Sequence, residues 1–250
     1  MMVERMHKYD LTILNVFTTF KISKIRIPYK LSFFKKEFHK REFKVLDVGC
    51  GNNSPQITKY WFSKCKYHGL DKELYNINKN ASLIVEKFYS IDLEKSELAE
   101  INDENYDAII FAHVIEHLKN GHNVIKRLAN KLKKGGKIYI EFPSERSLLL
   151  PTAVSTLNFY DDESHVKFYT IKEIIRTIER SNLFIIKAGR RRDPFGIILF
   201  FLYLPLQFYT LLKYHKLNAK GLWDICGFAN FVYAEKKNVN PQVDLSEKCF

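Results

Sequence analysis

The chain has 250 residues (29.6 kDa), 46% of them hydrophobic and 27% charged, with only ten glycines, which excludes disordered, collagen-like and tandem-repeat chains and calls for one large core. Its 40 basic side chains outnumber 28 acidic ones, a net of +12. The excess is local, with 11 Lys/Arg against 4 Asp/Glu over residues 4–44 and 7 against 1 over 187–220, so a near-neutral core carries flanks suited to something anionic. Four widely spaced cysteines, Cys50, Cys65, Cys226 and Cys249, include no CxxC pair. They encode neither a disulfide framework nor a thiolate zinc site. The start, MMVERMHKYD, lacks a secretory pattern, and a reducing, cytoplasmic setting is expected.

In chain order, residues 1–41 are expected to form a basic helical cap. Residues 21–44 interleave Lys and Arg with Ile22, Ile25, Ile27, Phe33, Phe34 and Phe38. One helical face could cover the acceptor side of the core, and basic residues among aromatics also permit nucleic-acid binding. Val45, Leu46 and Val48 form a short buried strand that Gly49 and Gly51 end in a tight turn. Pro55 suits a helix start, and Ile57, Tyr60 and Trp61 give the helix an apolar stripe. A second strand, 66–71, ends in Asp71 about twenty residues past the glycines, where a carboxylate can accept both hydroxyls of a ribose. A third, 87–93, ends in Asp92, placed to meet an amine or an adenine edge. Ala108–Phe111 is a buried fourth strand, followed by a helix from about Ile115 to Leu132 that Gly135 and Gly136 terminate. KIYIEF, 137–142, is the fifth, ended by Pro143. Strands alternating with helices imply a mostly parallel sheet with right-handed crossovers and a ligand at the carboxyl ends of the strands. On these elements alone a bare packing turn remains open. A dinucleotide oxidoreductase fits poorly, because the third glycine of GxGxxG is missing.

VLDVGCG (45–51), GLD with Asp71, SIDL with Asp92, YDAIIFAHVIEHL (106–118) and LKKGGKIYIEFP (132–143) together resemble the class I S-adenosylmethionine-dependent methyltransferases, in their small-molecule branch, over about residues 40–190. The resemblance implies an α/β, Rossmann-like seven-stranded sheet with helices on both faces and an antiparallel last strand, which GFANFVYAEKK (227–237) fits. It implies S-adenosyl-L-methionine as methyl donor. Asp47, Gly49, Cys50 and Gly51 would face the methionine part, Asp71 the ribose and Asp92 the adenine. Ala112 and His113 would flank the ligand.

Further on, Thr170 and Glu173 form a capping box for a helix that buries Ile171, Ile174, Ile175 and Ile178, with strand six near Phe184–Lys187. The H-x-x-x-Y-T pattern from His165 to Thr170 is similar to the acceptor-site loop of methyltransferases in small-molecule and cell-surface polysaccharide pathways, which implies that His165 lies near the methyl donor. Beside Asp161, Asp162 and Glu163, that histidine could act as a base, orient the acceptor, or anchor the loop. His113 and His117 are four apart, but HVIEH places its glutamate differently from HExxH, and no metal is expected. FGIILFFLYLPLQFYTLL, 195–212, lies within an apolar insertion at about 190–222. It is broken by Pro205 and flanked by Arg190, Arg191, Arg192 and by Lys213, His215, Lys216. It is borderline for a membrane span. A lid over a hydrophobic acceptor, an interfacial contact with anionic lipid and a buried dimer or core element all fit.

The expected domain runs over 42–237, with a loose tail at 238–250. The expected reaction is methyl transfer to an oxygen or nitrogen of a small acceptor: a sugar, a polysaccharide precursor or a lipid-linked intermediate. The expected location is the cytoplasm or the inner face of its membrane, with an anionic membrane surface and a homodimer as further partners. Two rivals are an RNA methyltransferase, against which EFP lacks the NPPY or DPPY tetrad, and a non-catalytic binding protein on the same fold.

Overall fold

A computed structural model describes residues 24–51, 53–73, 84–151, 158–202, 204–205, 208, 212 and 220–238. The start of the expected cap (1–23), much of the 203–219 stretch and the tail after 238 lie outside the described residues. Along the chain come α1 (Tyr29–Phe38), β1 (Phe43–Val48), α2 (Ser54–Trp61), β2 (Cys65–Asp71), β3 (Lys87–Ser90), β4 (Tyr106–Ala112), α3 (Gly121–Lys131), β5 (Leu132–Pro143), α4 (Ile171–Glu179), β6 (Leu183–Arg190), α5 (Pro194–Leu202), α6 (Lys220–Cys226) and β7 (Ala229–Lys236).

The strands form one sheet in the order β3-β2-β1-β4-β5-β7-β6. β1 pairs in parallel with β2 and β4, β2 with β3, and β4 with β5. β7 runs antiparallel between β5 and β6. The central strands are runs of Val, Ile, Leu and Phe because both of their faces are covered. On one face Ile109, Phe111, Ile138 and Ile140 pack with Val124, Ile125 and Leu128 of α3 and Ile174 and Ile178 of α4. On the other, Ala108, Ile110, Tyr139, Phe231 and Tyr233 meet Leu31, Phe34 and Phe38 of α1. The aromatic residues expected to form a cap therefore cover the second face of the central strands. Among the described residues, no helix is long and apolar enough to cross a membrane.

Three expectations are corrected. The helix expected from Ile115 to Leu132 is broken: Ile115–His117 is a single 3₁₀ turn, and α3 begins only at Gly121. Gly121 has no room for a side chain, since a Cβ there would lie 2.4 Å from Ile115. Gly135 and Gly136 do not end a helix either. α3 stops at Lys131, and the glycines sit inside β5. There the register jumps from Tyr106↔Leu132 to Ala108↔Lys137, bulging the intervening residues out of the ladder. On α2, Ile57 and Trp61 pack against the core as the stripe implies, but Tyr60 is exposed, and the fully buried residues are Pro55 and Thr58.

Candidate active site

β1 delivers the first element of the site. At its end Gly49 takes φ +69°, and its N–H donates to the Leu70 carbonyl of β2 at 2.7 Å. A Cβ at Gly49 would lie 2.2 Å from a methyl of Val114, so the strand end can approach the β4 loop only as glycine. Gly51 also has positive φ, +52°, but nothing lies within 4 Å of its would-be Cβ. Its N–H points to Asp71 Oδ2 at 3.5 Å, while the other oxygen of Asp71 accepts from the Lys72 N–H at 2.7 Å. Gly49, Gly51 and Asp71 thus share one open corner at the carboxyl ends of β1 and β2. Asp92 lies on the same rim. Its carboxylate accepts from the Glu94 N–H at 3.0 Å and pairs with Lys72 at 3.6 Å and Lys95 at 4.0 Å.

Asp47 and Cys50 of the same turn direct their side chains into the protein. Asp47 is buried, and one of its oxygens accepts from the Tyr67 hydroxyl at 2.7 Å and from the Ser54 hydroxyl; it ties β1, β2 and the start of α2 together. The Cys50 thiol points into the core, close enough that a Cβ on Gly69 would lie 2.9 Å from its sulfur. Burial, helped by the Asp47 and Asp71 charges, pushes that thiol up to about 12. Only their backbone remains to line the turn.

β4 delivers the second element. Ala112 ends the strand and His113 follows in the left-handed region, φ +55°, its N–H bonded to the Glu141 carbonyl at 2.8 Å. The ring lies between two carboxylates, with Nε2 2.8 Å from Glu141 Oε1 and Nδ1 3.3 Å from Glu116 Oε1. Burial disfavours its charge, yet the hydrogen bonds and charges of Glu116 and Glu141 outweigh that and raise its pKa to about 9. Behind it, Glu141 is buried and also meets Arg191 at 3.0 Å and the Tyr139 hydroxyl. Despite burial, Arg191 and His113 hold its carboxyl well below the usual carboxylate range. Arg191 then pairs with buried Asp224 of α6 at 3.2 Å. This chain latches the β6–β7 insertion onto the strand ends and brings the Trp223 ring 5.5 Å from that of His113.

The third element is the loop before α4. Its backbone is pinned by the Val166 and Lys167 N–H groups, both donating to the Glu116 carbonyl at 2.9 and 3.1 Å. His165 stacks on Phe159 with ring centroids 4.6 Å apart and donates from Nδ1 to the Phe159 carbonyl at 2.6 Å. Its ring is 4.9 Å from that of His117, so the loop meets the turn after β4. Sequence reasoning left Glu141, Arg191 and Trp223 out of the site. A charged residue inside the apolar run Ile138–Phe142 was the available signal for Glu141. Arg191 is hidden among three consecutive arginines.

The family described as "Methyltransferase domain" matches residues 24–188. The chain is 26% identical over 173 residues to the ubiquinone biosynthesis O-methyltransferase of two strains of Rickettsia bellii, covering 65% of this chain and 71% of that protein. Among solved structures it is similar to a SAM dependent methyltransferase from Archaeoglobus fulgidus (TM-score 0.53, 16% identity, 87% of this chain and 94% of that one). It is also similar to a phosphoethanolamine N-methyltransferase 2 of Haemonchus contortus in complex with S-adenosyl-L-methionine (TM-score 0.57, 17% identity, 84% of this chain and 52% of that one).

Proposed function

The chain belongs to the methyltransferase-domain family, and from that premise we propose how its residues divide the work. It is an S-adenosylmethionine-dependent methyltransferase acting on an oxygen or nitrogen of a small acceptor. When bound, S-adenosylmethionine supplies an activated methyl group on a sulfonium. Gly49 and Gly51 give it close approach to backbone N–H groups, Asp71 takes the ribose hydroxyls, and Asp92 takes the adenine edge. Asp47 and Cys50 contribute backbone there, and Ala112 and His113 close the far side. The observation that carries this is the empty space over Gly51 beside the half-buried Asp71 carboxylate: a side chain is missing where a ligand must pass, and an acceptor of hydroxyl protons stands next to it.

His113 is proposed as a fixed cation, because both of its ring nitrogens are engaged by carboxylates. Proton removal and acceptor alignment are assigned to the other side of the site, around His165. Much of the rate of methyl transfer comes from holding acceptor and methyl group in line. The curated relatives are named as O-methyltransferases of ubiquinone biosynthesis, which favours an oxygen of a hydrophobic, lipid-like acceptor.

The deciding experiment is calorimetric titration with S-adenosylmethionine and S-adenosylhomocysteine. Micromolar binding is expected, and Asp71→Ala should weaken it by about 1–3 kcal/mol as the ribose hydrogen bonds are lost. An unchanged dissociation constant would overturn the placement of the ribose.

The exposed side chains of Ile198, Phe201 and Leu202 on α5, beside exposed Arg190 and Arg192, support a second part of the proposal: this face rests on an anionic bilayer that holds the acceptor. Co-sedimentation with phosphatidylglycerol vesicles should be strong, weak with neutral vesicles, and lost in Phe201→Glu. Equal sedimentation of wild type and Phe201→Glu would remove the bilayer from the proposal.

A further inference from the structure

We infer that Glu116, His117 and His165 form a binding site for one divalent cation of the manganese-to-zinc class, on the acceptor side of the strand ends. This rests on the placement of His165 beside the acceptor, and explains how that histidine acts there.

One ligand atom from each residue lies within 4.8 Å of the other two. A cation about 2.1 Å from each would draw them to roughly 3.0–3.5 Å of one another, a contraction within reach of side-chain rotation. The two histidines are already set in the form that binds metal. His165 donates from Nδ1 to the Phe159 carbonyl at 2.6 Å. His117 Nδ1 lies 3.0 Å from the Ser164 carbonyl and the same distance from its hydroxyl. With the Nδ1 proton fixed on a carbonyl, each Nε2 keeps its lone pair for a ligand, an arrangement repeatedly found behind metal-bound histidines.

The second observation is independent of the histidines. Glu116 is only 2% exposed, and one of its oxygens makes a hydrogen bond to His113 while the other, Oε2, is buried with no partner. A carboxylate oxygen withdrawn from water without a partner is costly, and a cation held with His117 and His165 supplies the missing partner. Two imidazoles and one carboxylate on a turn and a pinned loop leave coordination positions open, and that donor set favours manganese, iron, cobalt or zinc over calcium. Asp162, with its carboxylate 3.8 Å from His165 Nε2, stands at the solvent side and adds negative charge.

The site would take the acceptor's hydroxyl or phenol oxygen. Coordination weakens its O–H bond, the proton leaves to water, and the oxygen keeps the electron pair that meets the methyl carbon. His165 on this view is a ligand and not itself the base.

The untagged chain, stripped with chelator, is titrated with Mn²⁺ followed by electron paramagnetic resonance, and with Co²⁺ followed by visible absorption. One cation per chain is expected, with ligand-field bands for Co²⁺. Binding should weaken at least tenfold in Glu116→Gln and His117→Ala, and the bands should change in His165→Asn. Should His117→Ala fail to fold, Glu116→Gln, which keeps the shape of the side chain, carries the comparison. The inference is overturned if the wild type takes up no stoichiometric cation, or if all three variants bind as it does. S-adenosylmethionine titrated alongside separates the two readings. Donor binding without cation binding sinks the metal site alone, and cation binding without donor binding supports the site while overturning the donor assignment.

Discussion

Gly49 and Gly51, two positions apart in the chain, have different jobs. Gly49→Ala adds a methyl into Val114 at a backbone angle that alanine resists. A loss of about 2–4 kcal/mol is expected in denaturant titration. Gly51→Ala meets no atom, so its cost should be about 1 kcal/mol, with donor affinity falling more than stability. Equal destabilisation by both would show that the space over Gly51 is not a ligand path. His113 supplies a pH test. Its pKa rises from 6.5 unfolded to about 9 folded, so its contribution is complete below pH 6.5 and disappears as the pH climbs through 9. Glu141, shifted downward, contributes above its ordinary range and loses that contribution on acidification. Stability should therefore decline from pH 7 to 10, and His113→Gln should flatten that decline in denaturation curves taken across the range. The sequence pattern named His113 and Asp71 because strand ends are where ligands gather. It could not show that Cys50 turns inward, since a residue in a turn has no period to assign its side.

At the level of elements, α4 was legible down to its cap. The Thr170 side chain accepts from the Glu173 N–H, and Glu173 returns a bond to the Thr170 N–H. Thr170→Ala should cost about 1 kcal/mol of stability, read as a lowered thermal midpoint. The turn after β4 was not legible, because Ile115 and Leu118 have helical spacing and nothing in composition separates one 3₁₀ turn from the first turn of a helix. The discrimination came from packing: Gly121 had to seat against Ile115 and the Tyr169 hydroxyl, which accepts from the Gly121 N–H at 2.9 Å. That break is what leaves Glu116 and His117 facing the α4 loop. The role of α1 became clear only with the sheet, since its aromatics need Tyr139 and Tyr233 to pack on. Phe34 lies edge-on to Tyr233 at 5.6 Å. Phe34→Ala should destabilise the protein by about 3–5 kcal/mol without changing donor affinity per folded molecule.

For the whole molecule, the mostly parallel sheet was legible in the alternation of strands and helices, and the antiparallel last strand in the family resemblance; the course of the β6–β7 insertion was not. There a run of apolar residues carries no periodicity that could orient it. What anchors the insertion is the Glu141–Arg191–Asp224 chain, assembled from residues far apart in sequence. Glu141 and Asp224 are buried and Arg191 is partly so, so removing one carboxylate leaves the guanidinium between them short of a partner. Asp224→Asn should cost on the order of 3 kcal/mol and free Trp223 from His113, seen as a shift in tryptophan emission.

The position of β7 has a consequence for how the protein is made. A strand laid down last closes the gap between two that precede it, so a chain emerging from the ribosome carries β5 and β6 with bare edges until residues 229–236 are out. Bare edges recruit other strands. The interval between the synthesis of Arg190 and that of Lys236 is thus when the growing chain is most exposed to aggregation, and the apolar α5 segment is translated within it. Nascent chains stalled at residue 226 should crosslink to chaperones, and stalled chains extended by a C-terminal linker long enough to bring Lys236 out of the tunnel should release them.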